Sequence, residues 1–178
     1  MDSINQQQPE NNFENLHGTE ALKKIKELTD KSSSCFFCTD IHTGKPFFTR
    51  PMSVQKIDDE GNFWFLSSND SHKNNEIKND SYVQLLFQGS DYSDFLNIYG
   101  RATISADKEK IKELWKPILK TWFTEGENDP RISVIKVEPA EGYYWDTKHN
   151  AAVGLIKRAA GAIMGKTLDD SIEGNLSV

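Results

Sequence analysis

Two β-rich runs on either side of an acidic turn constrain the fold of this chain more than any other stretch. Residues 47–54 read FFTRPMSV, residues 62–68 read NFWFLSS, and the turn between them is Asp58-Asp59-Glu60-Gly61. Aromatic and β-branched residues bounded by an Asp/Gly turn are typical of a β-hairpin. The second run leads into a polar segment that is expected to form a short helix from about Ser71. The sequence therefore predicts a strand–turn–strand–helix unit.

The junction between the second strand and this helix is a candidate phosphate site. A helix N-terminus offers unpaired N–H groups and the positive end of the helix dipole. Ser67, Ser68 and Ser71 add hydroxyl donors, and Lys73 adds a positive charge. Arg50, on the first strand, is expected to direct its planar guanidinium to the same anion. The alternative, in which Arg50 and Lys73 are solvent-facing charges, stays open at this point.

The residues beside Arg50 and Lys73 complete this candidate site. Pro51 has no N–H group to donate to a sheet, so its strand is predicted to lie at an edge or to be interrupted there. Backbone groups near Met52 would then be free to meet a ligand. His72 is favoured as a surface residue of the first helical turn rather than as a ligand. Ser71 is equally well explained as a helix cap, a role that is compatible with donating to a phosphate.

Several short motifs, taken in order, resemble a known family. They are Thr49-Arg50-Pro51-Met52, Phe63-Trp64-Phe65-Leu66, Ser71-His72-Lys73, the segment 115–130 and Tyr144-Trp145-Asp146. In this order and spacing they resemble the pyridoxamine 5′-phosphate oxidase-related flavoproteins, and within them the general stress protein 26 branch. The resemblance covers roughly residues 19 to 170.

This resemblance implies a fold, a cofactor and an assembly. The expected fold is α+β and mainly β: an FMN-binding split β-barrel, six-stranded with Greek-key or meander connections and with peripheral helices. The family is usually a homodimer with FMN between the subunits, and C-terminal aromatic residues often approach the flavin. Combined with the phosphate argument, the expected FMN contacts are Arg50, Pro51, Met52, Ser53, Ser67, Ser68, Ser71, His72, Lys73, Trp122 and Trp145. For both tryptophans, a place in the core remains the alternative.

The chain is predicted to form one domain with loose ends. Residues 1–17 are polar and read as a disordered arm, residues 18–148 as the FMN-binding split-barrel domain, and residues 149–178 as a C-terminal helix and tail packed on the same domain. The helix is expected over 151–164, and the acidic stretch after it is expected to be loose. Helical spacing also predicts an amphipathic helix over 19–31.

The remaining elements follow from periodicity and from breaker residues. Strands are predicted at 34–39, at 82–88 and at 95–104, the second buried on both faces because it is almost continuously apolar. A long helix should begin after Asp107 and pass Pro117 with a kink. Two further strands, 132–137 and 143–145, should be separated by Glu138-Pro139.

Composition and missing motifs exclude several classes of function. The chain has 178 residues with 27 acids against 21 bases, a net charge of −6, so a nucleic-acid partner is not expected. No apolar run could span a membrane, and no apolar signal core precedes the domain, so a cytoplasmic location is expected. Cys35 and Cys38 fall at i and i+3 of a strand, and we interpret them as buried thiols rather than as a redox or metal pair.

No catalytic residue can be named from the sequence. The chain lacks an H-E-x-x-H metal motif, a G-x-S-x-G elbow and a G-x-G-x-x-G loop. A flavin needs no general acid or base for hydride transfer, since the ring accepts the electrons. The leading hypothesis is an FMN-dependent oxidoreductase with a small-molecule electron donor or acceptor. The alternatives are a non-catalytic FMN carrier or stress sensor, and a haem-binding split barrel with His42 or His72 as axial ligand.

Overall fold

The computed structural model describes residues 11–42, 44, 46–91, 93–149 and 170–178. Within them, one nine-stranded sheet is accompanied by three α-helices and two 3₁₀ helices. The strands are β1 (Leu16–His17), β2 (Ser34–Thr39), β3 (Phe48–Ser53), β4 (Lys56–Ile57), β5 (Phe63–Ser68), β6 (Tyr82–Gln88), β7 (Phe95–Ser105), β8 (Ile132–Thr147) and β9 (Ser171–Ser177). The helices are α1 (Gly18–Lys31), α2 (His72–Asn79), α3 (Lys108–Leu114) and the 3₁₀ helices Pro117–Thr121 and Gly126–Asn128. The predicted mainly β, α+β class is confirmed.

Strand β8 is the longest of the described elements and pairs with three other strands. The strand order is β1-β9-β8-β7-β6-β2-β3, and β5 pairs with β8 and with the short β4. One half of β8 lies against β5 and the other half against β9, while β7 follows it along its length. The register with β7 shifts between Tyr99 and Gly100. A Cβ on Gly100 would lie 2.3 Å from the carbonyl oxygen of Glu138, so this close approach requires glycine.

The predicted break of β8 at Glu138-Pro139 is therefore wrong. The strand runs through both residues as a bulge: Tyr99 pairs with Glu141 and the next residue, Gly100, pairs with Pro139, which leaves Ala140 of β8 without a partner in β7. The prediction that β6 is buried on both faces is also wrong. Its burial alternates: Val83, Leu85 and Phe87 are buried, whereas the residues between them are partly exposed.

The predicted hairpin between residues 47–54 and 62–68 is wrong in its pairing. Strand β3 pairs with β2 and forms one end of the sheet order, so the edge position predicted for Pro51 is confirmed. The acidic turn instead joins β4 to β5. The chain changes partner at two residues: the N–H of Val54 donates to Ser33 O at 2.8 Å, and the N–H of Gln55 donates to Trp64 O at 2.8 Å.

Two hydrophobic clusters form the core of the described part of the chain. The larger one packs α1 against the sheet, with Ile25, Leu28, Phe37 and Phe65 fully buried. The smaller one joins α3 and the 3₁₀ segment after it to β5 and β8; its buried members are Leu66, Ile111, Leu114, Leu119, Phe123, Ile132 and Val134. Three members of this second cluster, Leu66, Leu119 and Phe123, also line the cleft described below.

The predicted long helix after Asp107 is shorter than expected. Asp107 does cap α3, since its side chain accepts hydrogen bonds from the N–H groups of Glu109 and Lys110. The helix ends at Leu114, however, and a 3₁₀ helix begins at Pro117. Proline disfavours helical backbone in the residue before it, and Lys116 is accordingly extended, with φ −127° and ψ 142°. The helix stops here and does not kink.

The described parts of both termini are packed. Strand β1 pairs in parallel with β9, and Asn12 is buried. The N–H of Glu14 donates to Glu173 O at 2.9 Å, and the hydroxyl of Tyr144 donates to Glu14 O at 2.9 Å. The prediction of a disordered arm is thus wrong for residues 12–17, and the prediction of a loose acidic tail is wrong for residues 171–177. The sequence did not reveal this packing, because main-chain pairing leaves no pattern in the side chains. Residues 1–10 and the helix expected over 151–164 lie outside the described residues.

Gly174 tests whether this terminal strand pair contributes to stability. A Cβ at this position would lie 1.7 Å from Glu14 O, so Gly174→Ala must push the N-terminal segment away from β9. We expect the free energy of unfolding to fall by about 1–3 kcal/mol in denaturant titrations. Ser177→Ala, at an exposed position of the same strand, is the control and should leave stability unchanged. Equal stability of both variants would show that the N-terminal segment is not packed as described.

Candidate cofactor site

A cleft of about 390 Å³ opens between strand β3, the end of β5, the start of α2 and the 3₁₀ segment after α3. Its lining residues are Met52, Ser53, Gln55, Leu66, Ser67, Ser68, Lys73, Leu119, Trp122, Phe123 and Arg131. Six of the eleven predicted FMN contacts are among them: Met52, Ser53, Ser67, Ser68, Lys73 and Trp122. The cleft is polar at the start of α2 and apolar towards Leu119 and Phe123.

The start of α2 is held in place by Asn74, which the sequence did not single out. Asn74 is buried; its side-chain oxygen accepts hydrogen bonds from Ser67 Oγ at 3.1 Å and from Ser71 Oγ at 3.2 Å. Its side-chain nitrogen donates to Ser133 Oγ at 2.8 Å, and Ser133 Oγ donates to Ser67 O at 3.1 Å. The hydroxyls of Ser67 and Ser71 therefore fix the helix start from below, and Ser71 makes no side-chain cap to the backbone.

Lys73 is one of two cations among the described residues that line the cleft. Its side chain is partly buried, and within the described part of the chain no hydrogen bond or ion pair engages its ammonium group. Burial lowers its pKa below the ordinary 10.5, and the neighbouring positive charge of Arg50 lowers it further, although Glu76 and Asp70 oppose this shift. A cation in this state gains from a bound anion, which would restore the interactions lost on burial.

Arg50 lies next to Lys73 but already has a partner. Its Nη1 donates to Glu76 Oε2 at 2.6 Å and to Thr39 Oγ1 at 3.1 Å, and Thr39 Oγ1 donates to the same carboxylate oxygen at 2.6 Å. Burial alone would raise the pKa of Glu76, but these hydrogen bonds and the charge of Arg50 outweigh it and hold the pKa below 4.5. Arg50 is not among the residues that line the cleft, and Glu76 was not foreseen as its partner.

A second cation, Arg131, lines the cleft and was not predicted. Its guanidinium makes a two-pronged contact with Asp129, from Nε at 2.9 Å and from Nη2 at 2.6 Å. These hydrogen bonds hold the pKa of the Asp129 carboxyl well below its usual range. Ser68, which also lines the cleft, bonds through Oγ to Asp70. The only signal in the sequence was an Asp-Pro-Arg turn directly before β8.

Trp122 stands at the edge of the cleft with 64 % of its surface exposed. Leu119 and Phe123, on either side of it in the chain, are buried beneath. A large indole held at an apolar opening can stack on a flat ring. Trp145 does not line this cleft: it pairs with Phe95 across the sheet, and its ring contacts the Tyr143 ring at 4.6 Å.

Pro51 and His72 also lie away from this cleft. His72 is exposed on α2. Pro51 borders a second cleft of about 420 Å³, whose lining residues are Ser32, Ser34, Cys35, Phe36, Pro51, Leu86, Phe87, Gln88 and Phe95. Strand β3 thus has Met52 in one cleft and Pro51 in the other. Phe36, which pairs with Pro51 from strand β2, is 56 % exposed, and Phe47 and Phe48, at the start of β3, are exposed to a similar degree.

The interpretation of the two cysteines as buried thiols is confirmed. Cys35 and Cys38 are both free and buried, and burial raises the pKa of Cys35 to about 12. No group of three or more metal-ligating side chains occurs among the described residues. None of the helices in the described ranges is both long and apolar enough to cross a membrane.

Comparison with solved structures supports the fold. A putative general stress protein 26 from Jannaschia sp. CCS1 superposes with a TM-score of 0.73 at 22% identity, covering 88% of this chain and 97% of that chain. The general stress FMN/FAD binding protein from Xanthomonas citri superposes with a TM-score of 0.53 at 20% identity, covering 65% of this chain and 82% of that chain. The predicted split-barrel fold is confirmed, with β1, β4 and β9 in addition to the expected strands.

Sequence comparison gives the family. Protein bli-3 of Neurospora crassa is 27% identical over 157 residues, which cover 81% of this chain and 75% of that protein. The family described as Pyridoxamine 5′-phosphate oxidase like matches residues 20–169, which are most of the chain and include seven of the nine described strands. This chain belongs to the pyridoxamine 5′-phosphate oxidase like family.

Proposed function

We propose that the protein binds FMN in the cleft at the start of α2 and acts as an FMN-dependent oxidoreductase. The observation that carries this proposal is Lys73, a partly buried cation with no described partner at the polar end of a cleft whose other end is apolar. FMN has the same division, with an anionic phosphate at one end and a flat ring at the other. The family match and the Xanthomonas citri neighbour, which is named for FMN/FAD binding, support the same ligand.

The two ends of the cleft would hold different parts of FMN. At the polar end, Lys73 and the N–H groups at the start of α2 would bind the phosphate, and Ser68 lies beside them. At the apolar end, Met52, Leu119 and Trp122 would contact the ring and exclude water from one face of it. When bound, FMN supplies a ring that accepts a hydride from a small-molecule donor. Arg50, which is paired with Glu76 and does not line the cleft, would make no direct contact with the phosphate.

Two alternatives differ from this proposal in what they require. A non-catalytic FMN carrier or stress sensor would use the same cleft, so only turnover with a reduced nicotinamide separates it from an oxidoreductase. A haem-binding barrel would need His42 or His72 as ligand, but neither lines the cleft, and His42 Nε2 is engaged by the Tyr99 hydroxyl at 2.9 Å. The absorption spectrum of the purified protein distinguishes flavin from haem. The cytoplasmic location remains a prediction.

Lys73→Met tests the phosphate contact. Charge-assisted hydrogen bonds contribute about 1.5–3 kcal/mol, so the variant should bind FMN about 10- to 150-fold more weakly. Riboflavin, which has the ring without the phosphate, should bind wild type and variant equally. Lys78→Met removes a charge from an exposed position of the same helix and is the matched control. Arg50→Ala is less informative, because it would leave the Glu76 carboxylate without its partner.

The pH dependence of binding supplies a second readout. Because the pKa of Lys73 is lowered, its ammonium loses the proton at a pH below the ordinary 10.5, and FMN affinity should fall as the pH rises through that lowered pKa. Lys73→Met should lack this phosphate-specific loss. Titrations of both ligands by flavin fluorescence measure it. Equal losses for FMN and riboflavin in Lys73→Met would contradict the phosphate assignment.

We also propose that the protein is a homodimer with FMN at the subunit interface. Phe36 lines the second cleft, and Phe47 and Phe48 are exposed at the start of edge strand β3; exposed aromatic residues of this kind favour a protein partner. Because β3 has Pro51 in the second cleft and Met52 in the first, a second copy on this face would approach the bound flavin. A stable interface of this kind should bury upwards of roughly 2,000 Å² in total.

Phe36→Glu tests this interface. A charge at the centre of an apolar contact should weaken association strongly, so sedimentation should show a dimer for wild type and a monomer for the variant. Val178→Glu is the control: Val178 is also an exposed hydrophobic residue, but it follows β9, which lies towards the opposite end of the strand order from β3. A wild-type protein that is monomeric and still binds FMN tightly would contradict the proposal.

A further inference from the structure

A cluster of aromatic and charged side chains lies outside both clefts, on β6 and β7. The rings of Tyr82 and Tyr99 are stacked, with centroids 5.6 Å apart and planes 13° apart. His42 stands edge-on to both, at 4.8 Å from the Tyr82 ring and 5.8 Å from the Tyr99 ring. The described residues that line the two clefts include none of these three side chains. The proposed flavin site therefore does not account for the cluster.

A chain of polar contacts runs through this cluster. The Tyr99 hydroxyl lies 2.9 Å from His42 Nε2, and His42 Nδ1 lies 3.5 Å from Asp80 Oδ2. With the imidazole proton on Nδ1, facing the carboxylate, Nε2 is left as an acceptor for the phenol. The Tyr99 hydroxyl therefore faces a base, His42, and the Asp80 carboxylate on the other side of the imidazole would stabilise a positive charge on it.

The two stacked tyrosines differ in their charged surroundings. The Arg101 guanidinium lies over the Tyr82 ring at 4.6 Å and donates to the Tyr82 hydroxyl. A positive charge at this distance opposes the removal of an electron from that ring. Asp80 and Glu141, the latter its cross-strand neighbour, are the acidic groups that act on Tyr99, and Arg101 is the opposing cation. Of the two stacked tyrosines, Tyr99 is therefore expected to lose an electron more readily.

We propose that Tyr99 is a redox-active tyrosine, in which His42 accepts the phenolic proton when the ring loses an electron. The electron passes to a one-electron oxidant of the radical class that reaches this exposed surface. At the same time the O–H bond of Tyr99 breaks, and its proton moves to His42 Nε2. The products are a neutral tyrosyl radical and an imidazolium that faces Asp80. Reduction by one electron returns the proton and restores the phenol. This site does not depend on the FMN proposal.

Pulse radiolysis tests the proposal in the intact protein. Azidyl radicals oxidise aromatic side chains, and the decay of the tyrosyl absorption is then followed in wild type, Tyr99→Phe, His42→Phe and the matched control Tyr82→Phe. We expect a long-lived tyrosyl component in wild type and in Tyr82→Phe, and none in Tyr99→Phe. Removal of the hydrogen-bond acceptor in His42→Phe should shorten the lifetime of this component by about fivefold.

The outcomes separate a redox role from a structural one. A long-lived signal that persists in Tyr99→Phe would overturn the proposal, and so would the loss of that signal in Tyr82→Phe. So would equal lifetimes in wild type and His42→Phe, because the histidine would then take no part in the proton transfer. All variants are first compared with wild type in thermal unfolding. His42→Gln, which also lacks the base, replaces His42→Phe if that variant does not fold.

Discussion

The pairing of β8 with three strands holds the rest of the structure together. One half of this strand pairs with β5, the other half pairs with β9, and β7 pairs with it from Val134 to Trp145, across the bulge opposite Gly100. The same strand supplies Ser133, whose hydroxyl accepts the hydrogen bond of the buried Asn74 side chain at 2.8 Å. Asn74 in turn fixes the first turn of α2. The position of Lys73 therefore depends on a contact between elements that are far apart in the chain.

The charges around the cleft are divided between paired and unpaired cations. Arg50 is held by Glu76 and Thr39, and Arg131 is held by Asp129, each through contacts as short as 2.6 Å. Lys73 has no such partner within the described residues, and its lowered pKa reflects burial near Arg50. Glu76 and Asp129 neutralise the charges of Arg50 and Arg131, whereas Lys73 remains able to bind an anion. This division explains why we assign the phosphate to Lys73 first.

The sequence predicted which residues line the cleft better than it predicted the side chains and strands with which they pair. The strand–helix junction at Ser67, Ser68 and Lys73 was recognisable because it combines local signals: a β-rich run, hydroxyls and a helix start. The Arg50–Glu76 ion pair was not, because its members lie on separate elements and nothing local marks the pairing. The same limit applies to strand partners. Val54 and Gln55 switch the chain from β2 to β5 through main-chain hydrogen bonds, which leave no trace in side-chain periodicity.

The most direct test of the central claim is the crystal structure of the protein in complex with FMN. The account predicts that the phosphate lies at the start of α2, within ion-pair distance of Lys73 Nζ, and that the ring lies in the apolar end of the same cleft beside Trp122. A flavin bound elsewhere, or one whose phosphate faces solvent while Lys73 remains without a contact, would contradict it.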